Sequence, residues 1–128
     1  MGIAIALVGL VALATVIGLV WRATTGRSRA AHGEAHDFAT GRPALLQFST
    51  EVCAPCVSTH ALLERIAGER EVDHIDVDVT HRPDIANRFN LLQSPTTLVL
   101  DAQGNIHARI GGAPRHSDVL AALDTIAA

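Results

Sequence analysis

The two cysteines of this chain, Cys53 and Cys56, fall at the seam between a strand-like run and a helix-like run. Before them lies Ala44-Leu45-Leu46-Gln47-Phe48, and after them an amphipathic stretch from Val57 to Ala67. Alone, Cys-x-x-Cys is ambiguous between a redox pair and half of a zinc site. The placement narrows the choice. A thiol at a helix N-terminus meets unpaired backbone N–H groups and the positive end of the helix dipole, and both favour the thiolate. A second thiol one turn along is placed to attack a mixed disulfide formed by the first. Cys53 is therefore the expected attacking thiol and Cys56 the expected resolving thiol.

The rest of the chain constrains where this chemistry takes place. Of 128 residues, 48% are hydrophobic, and a single run supplies much of that share. No charged residue occurs from Ile3 to Val20, and Trp21-Arg22 closes the run like an interfacial stop. At about 1.5 Å per residue the run approaches the ~30 Å of a bilayer core. A cleaved signal peptide would want a basic leading region and a small-residue cleavage site; neither is present, so residues 1–21 are read as a retained transmembrane anchor. Arg22, Arg27 and Arg29 all follow the anchor, which by the positive-inside rule places the remainder in the cytoplasm. The expected location is thus the cell membrane, single-pass.

Residues 22–35 lack apolar periodicity and are read as a flexible linker, leaving 36–128 as one folded domain. Within it, Ala44–Ser49 is expected as a buried strand and Ala54–Ala67 as a helix stopped by Gly68. Val72–Val79 alternates, with Ile75, Val77 and Val79 on one face of a strand. Pro83 opens a short helix that Asn90 is able to end. Asp101-Ala102-Gln103-Gly104 separates two strand runs as a hairpin turn. Val119, Leu120, Leu123, Ile126 and Ala127 mark a terminal helix. The order β-α-β-α-β-β-α implies an α/β fold with a central mixed sheet and helices on both faces.

That order resembles the thioredoxin family. The likeness rests on spaced features: Phe48 five residues before Cys53, the Cys53-Ala54-Pro55-Cys56 core, Asp76-Val77-Asp78, Pro83, Pro95-Thr96 and the Gly104 turn. It covers about residues 36–128. The resemblance implies a thioredoxin-like fold and catalytic roles for Cys53, Cys56, Pro55 and Pro95. It makes Pro95 a cis-proline facing the disulfide, with the preceding backbone free to pair with an extended substrate. Three positions depart from the family pattern. Gln47 stands where a buried Asp is usual, Asp76 where a Lys is usual, and Val52 where a Trp is usual. Gln cannot shuttle a proton, so Asp76 is read in one of two ways: as an acid beneath Cys56 that assists its deprotonation, or as a surface or hydrogen-bonded carboxylate.

The implied activity is thiol–disulfide oxidoreduction on protein dithiol and disulfide substrates, reductase in direction, with a reducing partner and no small-molecule cofactor. The alternative is a membrane-bound dithiol module that binds metal or senses redox state without turnover. No bound metal is expected, because His60 is read as a solvated helix residue and the other histidines show no ligand spacing. Covalent haem is excluded by Val57, which stands where a His would have to follow Cys56. A net charge of −3 without a basic stripe argues against nucleic acid.

Overall fold

The computed structural model describes residues 1–127. It contains α1 (Gly2–Thr24), β1 (Ser28–Glu34), a 3-10 turn (His36–Phe38), β2 (Ala44–Ser49), α2 (Ala54–Arg70), β3 (Asp73–Asp78), α3 (Pro83–Arg88), β4 (Thr96–Leu100), β5 (Asn105–Gly111) and α4 (His116–Ala127). The expected end of the domain, Ala128, lies outside the described residues, as does the side chain of Ala127.

Five strands form one mixed sheet in the order β1-β5-β4-β2-β3. β2 and β3 run parallel, joined by α2 as a crossover, and the remaining neighbours are antiparallel. Side chains alternate across a strand, so the pleat of β2 divides the core in two. Leu45 faces α2 and α4, packing with Leu63, Ile66, Val99, Ile110, Val119 and Leu123. Ala44, Leu46 and Phe48 face the other way, onto Ile85 and Phe89 beside α3. Ile75, Val77 and Val79 join that second cluster, as their alternation predicts. The same alternation turns His74 and Asp76 toward α2.

The segment expected to be a flexible linker is structured. Residues 28–34 form β1, which pairs antiparallel with β5 along the sheet edge. Its side chains are mostly exposed, so backbone hydrogen bonds rather than apolar burial hold it. Gly26, at φ 77°, donates to the Gly111 carbonyl and leaves no room for a Cβ beside the Ala113 carbonyl. The apolar helix also extends three residues beyond its expected end at Trp21, to Thr24.

Gly68 does not stop α2. The helix continues to Arg70 and ends at Glu71 in the left-handed conformation, φ 55°, with Val72 N–H bonded back to the Ala67 carbonyl. Ile66 and Ala67 before the turn are buried, which anchors the last turn past the glycine. The hairpin lies where the turn residues place it. The Asp101 carboxylate accepts from the backbone N–H groups of Gln103 and Asn105 and from the side chains of Asn105 and His107.

Burial raises the Asp101 pKa, but the bonds from His107, Asn105 and Gln103 outweigh it and hold the group at about 2. A carboxyl depressed in the fold stabilises above its unfolded pKa, and that stabilisation is lost as pH falls through the folded value. Asp101→Asn should therefore lower Tm at neutral pH. The gap to wild type should narrow between about pH 4 and pH 2, as thermal melts across that range would measure.

Candidate functional site

Cys53 and Cys56 are joined as a disulfide at the start of α2, with their Cα atoms 5.3 Å apart. Cys53 is the N-cap of the helix, in extended conformation, and its Sγ accepts the Cys56 N–H at 3.2 Å. This is the geometry that stabilises a thiolate when the pair is reduced. Pro55 occupies the first turn, where a missing N–H costs nothing. Exposure separates the two sulfurs' residues: Cys53 is part-exposed and Cys56 is buried at 5%. Val52 and Val57, next to the cysteines in the chain, are 97% and 73% exposed, an uncovered apolar margin.

A cleft of about 340 Å³ opens over the disulfide, lined by Ser49, Glu51, Cys53, Cys56, His60 and Asp76 among others. Asp76 thus shares the cleft with both cysteines. Both its oxygens are engaged. Ser49 Oγ donates to Oδ1 at 2.7 Å, and His60 Nδ1 lies 2.8 Å from Oδ2. Glu51 belongs to the loop before the cysteines, its backbone N–H bonded to Thr80 Oγ1. A larger cavity, about 620 Å³, lies between the end of α1 and the β1–β5 edge and contains no cysteine.

Gln47, the departure from the family pattern, is fully buried on the α2 side of β2. Its amide nitrogen donates to Ser49 Oγ and to the Cys56 carbonyl, each at 3.1 Å. Its oxygen faces His74 Nε2 at 3.0 Å. His74 Nδ1 in turn lies 2.7 Å from Glu64 Oε1. A polar chain therefore runs Glu64–His74–Gln47–Ser49–Asp76–His60, tied through Gln47 to the backbone carbonyl of Cys56. Gln47 has no titratable proton, yet its amide ties the Cys56 carbonyl to His74 on β3. Sequence spacing singles out none of Glu64, His74 and Ser49, and it reads His60 only as a solvated helix residue. His60 is not simply solvated, since it is paired with Asp76, and its ring lies 4.8 Å from that of His74.

The Ser94–Pro95 peptide is cis, and Pro95 is buried at the entry to β4. The cis bond agrees with what the family resemblance implies for this position.

Residues 34–125 match the thioredoxin family profile. The chain belongs to the thioredoxin family. It is 33% identical over 89 residues to thioredoxin of Mycobacterium tuberculosis, covering 68% of this chain and 76% of that one. Over 78 residues it is 36% identical to thioredoxin of Mycolicibacterium smegmatis, covering 58% and 69%. Among solved structures, a thioredoxin-like protein from Clostridium perfringens superposes with a TM-score of 0.61 at 25% identity, covering 73% of this chain and 79% of that one. Fasciola hepatica thioredoxin gives a TM-score of 0.54 at 25% identity, covering 69% and 81%. Membership makes the chain a thiol–disulfide redox protein, with Cys53 and Cys56 as the pair at disulfide distance.

Removing Gln47 would leave the Cys56 carbonyl and one nitrogen of the buried His74 side chain without their partner. Gln47→Ala should cost about 1–3 kcal/mol of stability, the usual penalty for stranded buried polar groups. Denaturant unfolding of the oxidised protein would measure it.

Proposed function

We propose that this chain is a membrane-tethered protein-disulfide reductase whose redox domain faces the cytoplasm. The observation that carries the reading is the asymmetry of the pair: a part-exposed Cys53 capping α2, and a buried Cys56 one turn along. In the reduced protein, the Cys53 thiolate attacks one sulfur of a substrate disulfide. The substrate S–S bond breaks, a Cys53–substrate disulfide forms, and the departing sulfur takes a proton. Cys56, once deprotonated, attacks Cys53 Sγ and releases the second substrate sulfur as a thiol. Two electrons have passed to the substrate, and the Cys53–Cys56 disulfide remains. A dithiol reductant then returns the pair to its starting state.

Asp76 acts as the proton acceptor for Cys56, with His60 as its partner across the cleft. Pro95 shapes the wall against which an extended substrate lies, and Pro55 sets the first turn that presents Cys53. The apolar helix α1 supports the tether. It has 23 residues, a mean hydropathy of 2.8 over its most apolar window, and none of that window buried. A helix so apolar and so uncovered matches a bilayer span in length. Arg22, Arg27 and Arg29 on its C-terminal side favour the cytoplasmic orientation.

Reduction of a protein disulfide by this chain should disappear in Cys53→Ser. Cys56→Ser should instead accumulate a mixed disulfide visible on a non-reducing gel. Asp76→Asn should slow resolution of that intermediate by about a hundredfold or more near neutral pH, the lower end of general-base effects, while leaving its formation unchanged. Undiminished resolution in Asp76→Asn would remove the carboxylate from the mechanism. Full turnover in Cys53→Ser would remove the whole reading.

A further inference from the structure

His60, which lines the disulfide cleft, meets two further side chains, Glu64 and His74, on the face of the sheet that α2 covers. His60 and Glu64 stand four apart on α2, hence on one helix face, and His74 reaches them from β3. One donor atom from each lies within 4.8 Å of the other two. We propose that His60, Glu64 and His74 form a binding site for a divalent transition cation of the Zn²⁺ type, separate from the dithiol.

The hydrogen bonds fix which nitrogen of each ring is available. Both hydrogens of the Gln47 amide are committed, to Ser49 Oγ and the Cys56 carbonyl, so its oxygen is what faces His74. That contact requires the N–H to be on His74 Nε2, which leaves Nδ1 pointing at Glu64 Oε1 from 2.7 Å. A lone pair facing a carboxylate oxygen at that distance needs a positive species between them, either a proton or a metal ion. The His74 side chain is only 2% exposed, which holds the ring in place.

His60 is prepared in the same way. Asp76 Oδ1 already accepts from Ser49, and Oδ2 takes the His60 Nδ1 hydrogen. Nε2 of His60 has no hydrogen-bond partner among the described residues, and it is the atom a carboxylate-bound histidine offers to a metal. Each histidine therefore has an outer partner that sets its tautomer, an amide oxygen for one and a carboxylate for the other. Two imidazoles and one carboxylate suit zinc and its neighbours in the transition series, and three protein ligands leave a position open. The Glu64 side chain is 58% exposed and the His60 side chain 49%, so both arms are free to close on an ion while His74 stays fixed.

The test uses the full chain in detergent with the disulfide closed and free thiols shown to be absent, so that no thiolate takes the metal. Co²⁺ is titrated by visible absorption, and Zn²⁺ is then used to displace it. One equivalent should bind. Glu64→Gln and His60→Ala, both at exposed positions, should each weaken binding at least tenfold. Asp76→Asn, which removes only the outer partner, should weaken it by about 10–100-fold. Absence of stoichiometric uptake would overturn the site and leave a proton between His74 and Glu64. Uptake unchanged in the Glu64→Gln/His60→Ala double variant would overturn it as well, by placing the metal elsewhere.

Discussion

The parallel pairing of β2 with β3 is the constraint on which the rest depends. Parallel neighbours need a crossover, and α2 is that crossover, so the start of the helix is delivered above the carboxyl end of β2. That is where Cys53 caps the helix. The same register sets Leu45 beside His74 and Gln47 beside Asp76, all on the side that α2 covers. A shift of one residue would turn His74 and Asp76 to the α3 face and remove the polar chain tied to Cys56. Fold and chemistry are therefore fixed by one set of backbone hydrogen bonds.

Within that frame, the replacement of a buried acid by Gln47 reorganises the site without vacating it. A carboxylate at this position would be a buried charge facing the Cys56 carbonyl, with no hydrogen to donate to it. The amide satisfies three neighbours instead, and ionisable groups appear one strand away, at Asp76, and on α2, at His60 and Glu64. In the proposed mechanism, proton handling belongs to this part-exposed wall rather than to the floor of the site. There it is screened less than in water and desolvated less than in the core.

Much of this was legible in sequence, and the exceptions have physical causes. β2, β3, α3 and the β4–β5 hairpin follow from periodicity and turn residues. The cysteine pair opens the helix after β2, where its position between strand and helix runs puts it. β1 was not legible, because an edge strand held by backbone pairing needs no alternating side chains, and Ser28–Glu34 has none. The run of α2 past Gly68 was not legible either, since it depends on burial of Ile66 and Ala67 by distant strands. His60 meets His74 only through the parallel register. His60 four residues before Glu64 was the one local signal, and such spacings are common on solvated helices.

The central claim is that Cys53 and Cys56 pass electrons to substrate disulfides rather than withdraw them. The most direct test is the reduction potential of the pair in the full chain, equilibrated against glutathione buffers. A reductase requires a strongly reducing pair, near the value of about −270 mV that thioredoxins show. A potential near about −120 mV would contradict the account and make the protein an oxidant suited to an oxidising compartment.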